Sequence, residues 1–376
     1  MRAASIAEWV WESTSIGARM SRTLLTPASA LFGAAVHIRN QRFDAALAQT
    51  AVGGSGPIRP TGLPALSVGN LTVGGTGKTP VAAWCAHELR KRGARPAIIL
   101  RGYGDDEWKV HALLNPGVPV VVSPDRLMGI TRASTMGANC AVLDDAFQHR
   151  QAARLSDVVL VSADRWTGRV RLLPGGPFRE PITALRRATV VAMTVKAAGA
   201  DRVDELEAAI SQAAPAVPVA VLRLVMGPLH LATTLPAPDK DGALRERKLD
   251  QSGLLERSVE WLAGRRLIAV SAIGDPRSFA GQLTRAGAQI TVRRYRDHHA
   301  FTVADAAALA RDAEGLDGVI CTLKDAVKLG PIWPRVAPPL WYVSQQVVVE
   351  RGALALDRAL ARVLVSPGAV RLPGRH

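Results

Sequence analysis

The chain has 376 residues, a length that predicts two or three domains. Apolar residues make up 48% and charged residues 21%, which excludes a disordered or collagen-like chain. No run of about 18 uncharged apolar residues predicts a spanning helix. Lys and Arg number 47 against 32 Asp and Glu, a net charge of +15, and only eight of the 47 are Lys. Guanidinium forks suit phosphate and carboxylate groups. Charge alone admits nucleic acid, an anionic membrane or a phosphorylated substrate, and selects none of them.

Residues 1 to about 50 alternate apolar and basic positions. Ile6, Trp9, Val10 and Ile16 share a helical face, followed by Leu24, Leu25, Leu31 and Phe32. Two readings stand side by side: an amphipathic helix at a membrane interface, or a helix docked on the protein's own core. Arg2, Glu8, Glu12, Arg19 and Arg22 interrupt any signal-peptide core, so export is not expected. Gly53–Pro57 and the prolines after it form a loop.

A βα rhythm then sets in. Ala65–Val68 reads as a buried strand, Val81 to about Arg92 as a helix closed by Gly93, and Ala97–Leu100 as a strand. Further strands are expected at Pro119–Val122, Cys140–Leu143, Val158–Val161 and Thr189–Met193, with a helix over Arg126–Met136. Alternation of this kind predicts an α/β fold with a parallel sheet core. Residues 226–262 read as irregular. A smaller α/β unit follows, with strands at Leu267–Val270, Ile290–Val292, Gly318–Cys321 and Leu340–Val343. Its helices are expected at Ser278–Ala286 and Val303–Ala313, the latter capped by Thr302. The expected organisation is an N-terminal segment (1–50), a core domain (51–222), a smaller α/β domain (223–345) and a C-terminal helix and tail (346–376). Cys85, Cys140 and Cys321 are far apart in apolar runs, so buried reduced thiols are expected.

The strongest chemical signal is Thr72-Val73-Gly74-Gly75-Thr76-Gly77-Lys78-Thr79, between a strand and a helix. Backbone N–H groups of such a loop cradle phosphates, a Lys reaches the β- and γ-phosphates, and a Thr hydroxyl holds Mg2+. The first Gly of the usual pattern is replaced by Thr72. Asp144-Asp145 ends an apolar strand, where a carboxylate suits Mg2+ or a helix cap. Asp105-Asp106-Glu107 offers a proton acceptor or a solvated acidic turn. Asp297-His298-His299 lacks a third metal ligand and reads alone as a polar loop. Leu173–Pro181 presents Arg179 from a rigid loop, as a phosphate clamp or a simple turn.

Taken in order, these segments resemble the tetraacyldisaccharide 4'-kinase family, the lipid A 4'-kinases. The resemblance rests on Ser67–Pro80, Arg101-Gly102-Tyr103-Gly104, Asp144–His149, Leu173–Pro181, Asp297-His298-His299 and Thr322–Lys328. The missing first Gly of the loop is a habit of that family. The resemblance implies a P-loop kinase core, a smaller α/β domain and an N-terminal amphipathic helix in the membrane interface. It implies transfer of the γ-phosphoryl of ATP to the 4'-hydroxyl of tetraacyldisaccharide 1-phosphate, giving lipid IVA at the cytoplasmic face of the inner membrane. Residues 72–79 would bind ATP, Thr79 and Asp144 would organise Mg2+, and Lys78 would serve catalysis. Asp106 would accept the hydroxyl proton, Asp145 with His298 would form a supporting dyad, and Gln148, His149 and Arg179 would line the substrate site. Partners would be the glycolipid and an anionic membrane surface, with no nucleic acid and no specific protein partner.

Several positions depart from the family's pattern. Gly104 runs directly into Asp105, where the family has a longer segment, and Ala146 stands where it has Gly, which matters if the position needs positive φ. Ser156 replaces an Arg, and the Thr322–Lys324 stretch lacks a Glu. Two rivals follow: a homologue that binds nucleotide without transfer, and a membrane-associated P-loop ATPase. The second usually carries a Lys where this chain has Val73.

Overall fold

The computed structural model describes residues 3–50, 58–102, 104, 106–235 and 256–364. The glycine-rich break at 53–57, Asp105, much of the expected irregular stretch and the tail after residue 364 lie outside the described residues.

Two helices open the chain, α1 (Ala3–Glu12) and α2 (Ile16–Thr50). Arg22 of α2 donates to the carbonyls of Val10 and Ser13, satisfying groups that the end of α1 leaves free. Then come β1 (Ala65–Asn70), α3 (Lys78–Lys91), β2 (Pro96–Leu100), α4 (Glu107–Leu114) and β3 (Val120–Val122). Next are α5 (Arg126–Thr135), β4 (Cys140–Asp144), β5 (Ser156–Ser162), β6 (Val190–Val195) and α6 (Ala200–Ala213). The chain continues through β7 (Val219–Leu231), β8 (Glu256–Arg257), β9 (Arg266–Ser271), α7 (Pro276–Arg285) and β10 (Gln289–Arg294). It ends with α8 (Val303–Asp312), β11 (Gly318–Thr322), α9 (Leu323–Leu329), β12 (Leu340–Arg351) and α10 (Ala353–Leu364).

These elements form two units, Met1–Gly102 with Gly117–Arg223 and Val349–His376, and Tyr103–Pro116 with Leu224–Val348. In the first unit the strand order is β3-β2-β4-β1-β5-β6-β7 and every pairing is parallel. β1, β2, β4 and β6 are buried along their whole length. That is why they read as unbroken apolar runs, as strands covered on both faces do. α3 turns Val81, Ala82, Cys85, Ala86 and Leu89 inward, three and four residues apart. α10 buries Leu356, Ala359, Leu360 and Val363 against the same unit, and the Ser156 hydroxyl donates to the Ala359 carbonyl at 2.8 Å.

The second unit has the order β10-β9-β11-β12-β7, with β8 antiparallel to β7. β9, β10, β11 and β12 run parallel where they pair. Thr302 caps α8 in a reciprocal box with Asp305, as its position in the sequence predicts. α4 belongs to this unit, where Val110 packs on Leu323 and Val327 of α9.

Four boundaries differ from those expected. Residues 103–116 group with the second unit because α4 buries its apolar side on α9. Residues 1–50 group with the first unit. Residues 346–351 continue β12, and the irregular stretch expected from 226 is strand as far as Leu231. The three cysteines are buried and unbridged, and burial pushes the Cys85 and Cys140 thiols up to about 12.

Candidate active site

In the first unit β1 lies between β4 and β5. The chain runs from β1 through α3 towards the β2 side, so the carboxyl end of β1 is a switch point, where ligands of open α/β sheets bind. The glycine loop starts there. Gly74 and Gly77 have φ of 108° and 88°, values that a side chain resists. The left-handed Gly77 is the N-cap of α3, so the loop amides and the helix start form one anion cradle.

Asn70, the last residue of β1, organises this loop. Its amide donates to the Thr72 carbonyl and the Thr76 hydroxyl, both at 2.8 Å, and its Oδ1 accepts from Lys78 Nζ at 3.3 Å. A wall is added by Leu173–Pro181. The Val73 amide donates to the Pro177 carbonyl at 2.9 Å and the Arg179 amide to the Leu71 carbonyl at 2.7 Å. Arg179 is thereby set against Asp145, 3.3 Å from Oδ1, and Lys78 lies 3.7 Å from the same oxygen.

β4 delivers the two carboxylates. Asp144 is its last residue, opposite Val68 of β1, and its carbonyl accepts from Arg126 at 3.1 Å. Asp145 has φ of 50°. The positive φ thus falls on Asp145, and Ala146 carries no such demand. Phe147 is fully buried beneath this turn, with Arg187 over its ring at 4.6 Å. Gln148 donates its amide to the Asn70 carbonyl at 2.8 Å, holding β1 and the turn together. Burial first, then the charges of Arg126 and Arg154, keep the His149 imidazole below its ordinary pKa.

The second unit gathers a separate set. Asp106 stands at the start of α4 with 3% of its surface exposed. His298 Nδ1 lies 3.5 Å from Asp106 Oδ1, and Lys328 Nζ lies 3.5 Å from Asp106 Oδ2. Lys328 also approaches the buried Asp325 at 3.7 Å. Burial would raise the Asp106 pKa, but the hydrogen bond from His298 and the charges of Lys324 and Lys328 outweigh it and hold the carboxyl at about 2. The bond to Asp106 raises the His298 pKa against its burial and the nearby Lys324. His298 has φ of 57°, and with Asp145 it is one of the two non-glycine residues with positive φ among the described residues. Strain of this kind concentrates at working sites. Lys324 Nζ sits 3.1 Å from His298 Nε2. An ammonium only donates, so Nε2 accepts and Nδ1 carries the proton towards Asp106.

Within the second unit the carboxylate beside His298 is Asp106, and within the first unit Asp145 is engaged by Lys78 and Arg179. His299 bonds to Asp305 at 3.2 Å and packs among Tyr295 and Phe301, a structural place. Asn70, Lys324 and Lys328 escaped the sequence reading as site residues, although all three stand in quoted segments. A polar residue closing an apolar strand was the available signal for Asn70.

Comparison with known proteins points one way. Residues 21–364 match the family model described as tetraacyldisaccharide-1-P 4'-kinase. A tetraacyldisaccharide 4'-kinase of Anaeromyxobacter dehalogenans is 37% identical, over 95% of this chain and 94% of that protein. One from Syntrophus aciditrophicus is 34% identical, over 91% and 93%. A crystal structure of LpxK from Aquifex aeolicus in complex with ATP superposes with a TM-score of 0.64 at 25% identity, covering 91% of this chain and 99% of that one.

Proposed function

The chain belongs to the tetraacyldisaccharide-1-P 4'-kinase family, an ATP-dependent phosphotransferase, and from that premise we propose how its residues divide the work. The kinase transfers the γ-phosphoryl of ATP to the 4'-hydroxyl of tetraacyldisaccharide 1-phosphate. The observation that carries the residue assignment is the pairing of His298 with Asp106 while Lys78 and Arg179 share Asp145.

The amides of residues 73–78 would bind the nucleotide phosphates, and Lys78 would reach the β- and γ-phosphates. Arg179 neutralises charge that spreads over the transferring phosphoryl oxygens. The Thr79 hydroxyl and Asp144 carboxylate are hard oxygen donors of the kind Mg2+ prefers. Among the described residues no three His, Cys, Asp or Glu side chains gather as a metal cage. This suits an ion that takes one or two protein oxygens and completes its shell with phosphate and water. Thr79 and Asp144 would hold Mg2+, which would supply charge neutralisation to the phosphates.

His298 takes the proton. A base works best with a pKa near the operating pH, which an Asp106 carboxyl at about 2 does not have. The 4'-oxygen forms its bond to the γ-phosphorus as the β–γ bridge bond breaks, ADP carries away the leaving charge, and the hydroxyl proton passes to His298 Nε2. Asp106 holds Nδ1 and stabilises the imidazolium. Lys324 yields Nε2 to the hydroxyl.

α2 brings the kinase to its lipid. Its first-unit side is tied down by Asn40 to Glu180 at 2.8 Å, Arg150 to Asp44 at 2.6 Å and Ser29 to the Leu172 carbonyl at 3.2 Å. Its other side exposes Ile16, Met20, Leu24, Leu31 and Ile38, with Leu24 at 79% and Leu31 at 74%. At about 100° per residue these five fall within roughly one quarter of the helix circumference. No helix among the described residues is long and apolar enough to cross a membrane. The stripe therefore serves as an interfacial face, at the cytoplasmic leaflet where ATP is present. Incubation with Mg-ATP and tetraacyldisaccharide 1-phosphate in detergent micelles tests the whole reading. A product heavier by one phosphate, lost in Lys78→Ala at unchanged melting temperature, is expected. No product, or product that persists in Lys78→Ala, overturns it.

A further inference from the structure

Asp325, in the first turn of α9, is an acid that no step of the transfer uses, and none of its surface is exposed. Its carboxylate faces three donors. The Ala272 amide reaches Oδ1 at 3.3 Å and Oδ2 at 3.2 Å, the Thr322 hydroxyl donates to Oδ2 at 2.8 Å, and Lys328 Nζ lies 3.7 Å from Oδ1. Burial raises the Asp325 pKa, while the charge of Lys328, the Thr322 hydroxyl and the Ala272 amide oppose that rise. The cap of α9 does not need this acid, because Thr322 already accepts from the Asp325 amide at 3.3 Å. A charge buried this deeply is costly to keep unless its partners are in place.

Two paths run from this carboxylate to His298, both within the second unit. The first follows the backbone. Ala272, just after β9, donates its N–H to Asp325, and its carbonyl accepts from the His298 amide at 3.2 Å. The same amide also donates to Asp297 Oδ1 at 3.0 Å. His298 holds a φ of 57°, a conformation that persists only where its surroundings over-determine it. The second path follows charge. Lys328 Nζ is buried between Asp325 Oδ1 at 3.7 Å and Asp106 Oδ2 at 3.5 Å, with the Phe301 ring 5.5 Å away. Asp106 Oδ1 in turn faces His298 Nδ1 at 3.5 Å. Asp325, Lys328, Asp106 and a protonated His298 therefore make a row of alternating charge. Lys324 and Asp297 also face the ring, at 3.1 and 4.0 Å from Nε2, and Glu107 lies 3.9 Å from Lys324. Cys321 of β11 adds no charge, because burial and Asp325 push its thiol pKa up.

We propose that Asp325 is the positioning residue of the proton-accepting pair: it fixes the His298 backbone through Ala272 and, by sharing Lys328 with Asp106, leaves the Asp106 charge to hold the imidazolium. This rests on the reading of His298 as the base of the transfer. With Asp325 neutral, Lys328 would draw on Asp106 alone and compete with the imidazolium for its charge. One more uncompensated cation would then stand beside the ring, and proton uptake at Nε2 would become harder.

The test is Asp325→Asn, which keeps the size of the side chain and an oxygen for the Ala272 amide, and removes the charge. Its initial-rate kinetics with Mg-ATP and tetraacyldisaccharide 1-phosphate are compared with those of Lys328→Met and of the double variant. Asp325→Asn is expected to lower kcat about tenfold and to move the acid limb of kcat/KM to lower pH by about half a pH unit. The KM for ATP should not change, since the glycine loop belongs to the other unit. In the Lys328→Met background the same substitution should add no further shift, because the charge path is already cut. An acid limb that stays in place, or that moves equally in both backgrounds, overturns the proposal. So does a rise in the KM for ATP that matches the fall in kcat, which would mark a general loss of structure. NMR titration of His298, assigned by its absence in His298→Gln, reads the imidazole pKa without turnover. If wild type makes no product, or His298→Gln keeps full activity, while Asp325→Asn still lowers the His298 pKa, the reading of His298 as base fails and its positioning by Asp325 stands. A His298 pKa unmoved in Asp325→Asn overturns the positioning whatever the turnover. Lys328→Met probes the same path with opposite sign: one cation fewer beside Asp106 should raise the His298 pKa. A pKa unmoved or lowered there overturns the proposal even if Asp325→Asn does not fold.

Discussion

Asp106→Asn removes one charge from the His298 pair and leaves its size unchanged. Lys328 keeps Asp325 at 3.7 Å, so no bare ammonium is created. At the 3.5 Å separation of Asp106 and His298, Coulomb attraction on the imidazolium is about 1 kcal/mol at the dielectric of water and about 5 kcal/mol at an effective value of 20. His298 is partly open to solvent, so the lower half of that range applies. A loss of about 1–2.5 kcal/mol in transition-state stabilisation lowers kcat/KM by roughly fivefold to seventyfold. The pH profile separates the two candidate bases. His298 must be neutral to accept a proton, and its pKa is raised by Asp106. Wild-type kcat/KM should therefore fall as pH drops through that raised value, and in Asp106→Asn the fall should move to lower pH. The assay is initial-rate kinetics between about pH 5 and 8, the span over which a histidine titrates. If Asp106 itself were the base, its pKa of about 2 would leave wild type flat across that span. A flat wild-type profile, or an acid limb unmoved in the variant, refutes the assignment.

Phe147→Ala should destabilise by about 3–5 kcal/mol, as full burial of the ring predicts. Scanning calorimetry would show a fall on the order of 10 °C, with weaker ATP binding because the Asp144-Asp145 turn rests on that ring; a change under about 1 kcal/mol would contradict the packing described. Leu24→Asp with Leu31→Asp should leave the melting temperature unchanged and cut sedimentation with anionic vesicles at least about hundredfold, since each exposed leucine gains about 2 kcal/mol on insertion. A drop in melting temperature without loss of vesicle binding would mean that the stripe faces protein.

The parallel core was legible because β1, β2, β4 and β6 are covered on both faces and so are apolar at every position. The glycine loop was legible because its chemistry is local. The less visible features depend on contacts distant in sequence. α4 is short, and its first residues look like a solvated acidic turn; what makes it a helix is Val110 packing on Leu323 and Val327, more than two hundred residues away. β7 runs through Gly227 and Pro228, a pair that punctuates a sequence, because Gly227 packs against Ser344 and Gln346 of β12. β12 continues past Val343 on an alternating half-buried pattern that its polar residues conceal. The partner of His298 followed the same rule: Asp106 is distant from it in sequence, and only tertiary structure brings the two together.

The excursion of residues 103–116 has a bearing on inheritance and on engineering. The chain leaves the first unit after β2, deposits α4 and Asp106 in the second, and returns at β3. Neither unit is thus a continuous stretch of gene. A fragment spanning 224–348 would lack the carboxylate that serves His298 and would bare Leu323 and Val327 to water. Recombination that swaps only the later segment between relatives would graft a histidine onto a foreign aspartate and a foreign helix. Chimeras of these kinases should therefore carry the fourteen-residue strap together with the segment it completes, and random exchange should favour whole-chain inheritance over modular shuffling.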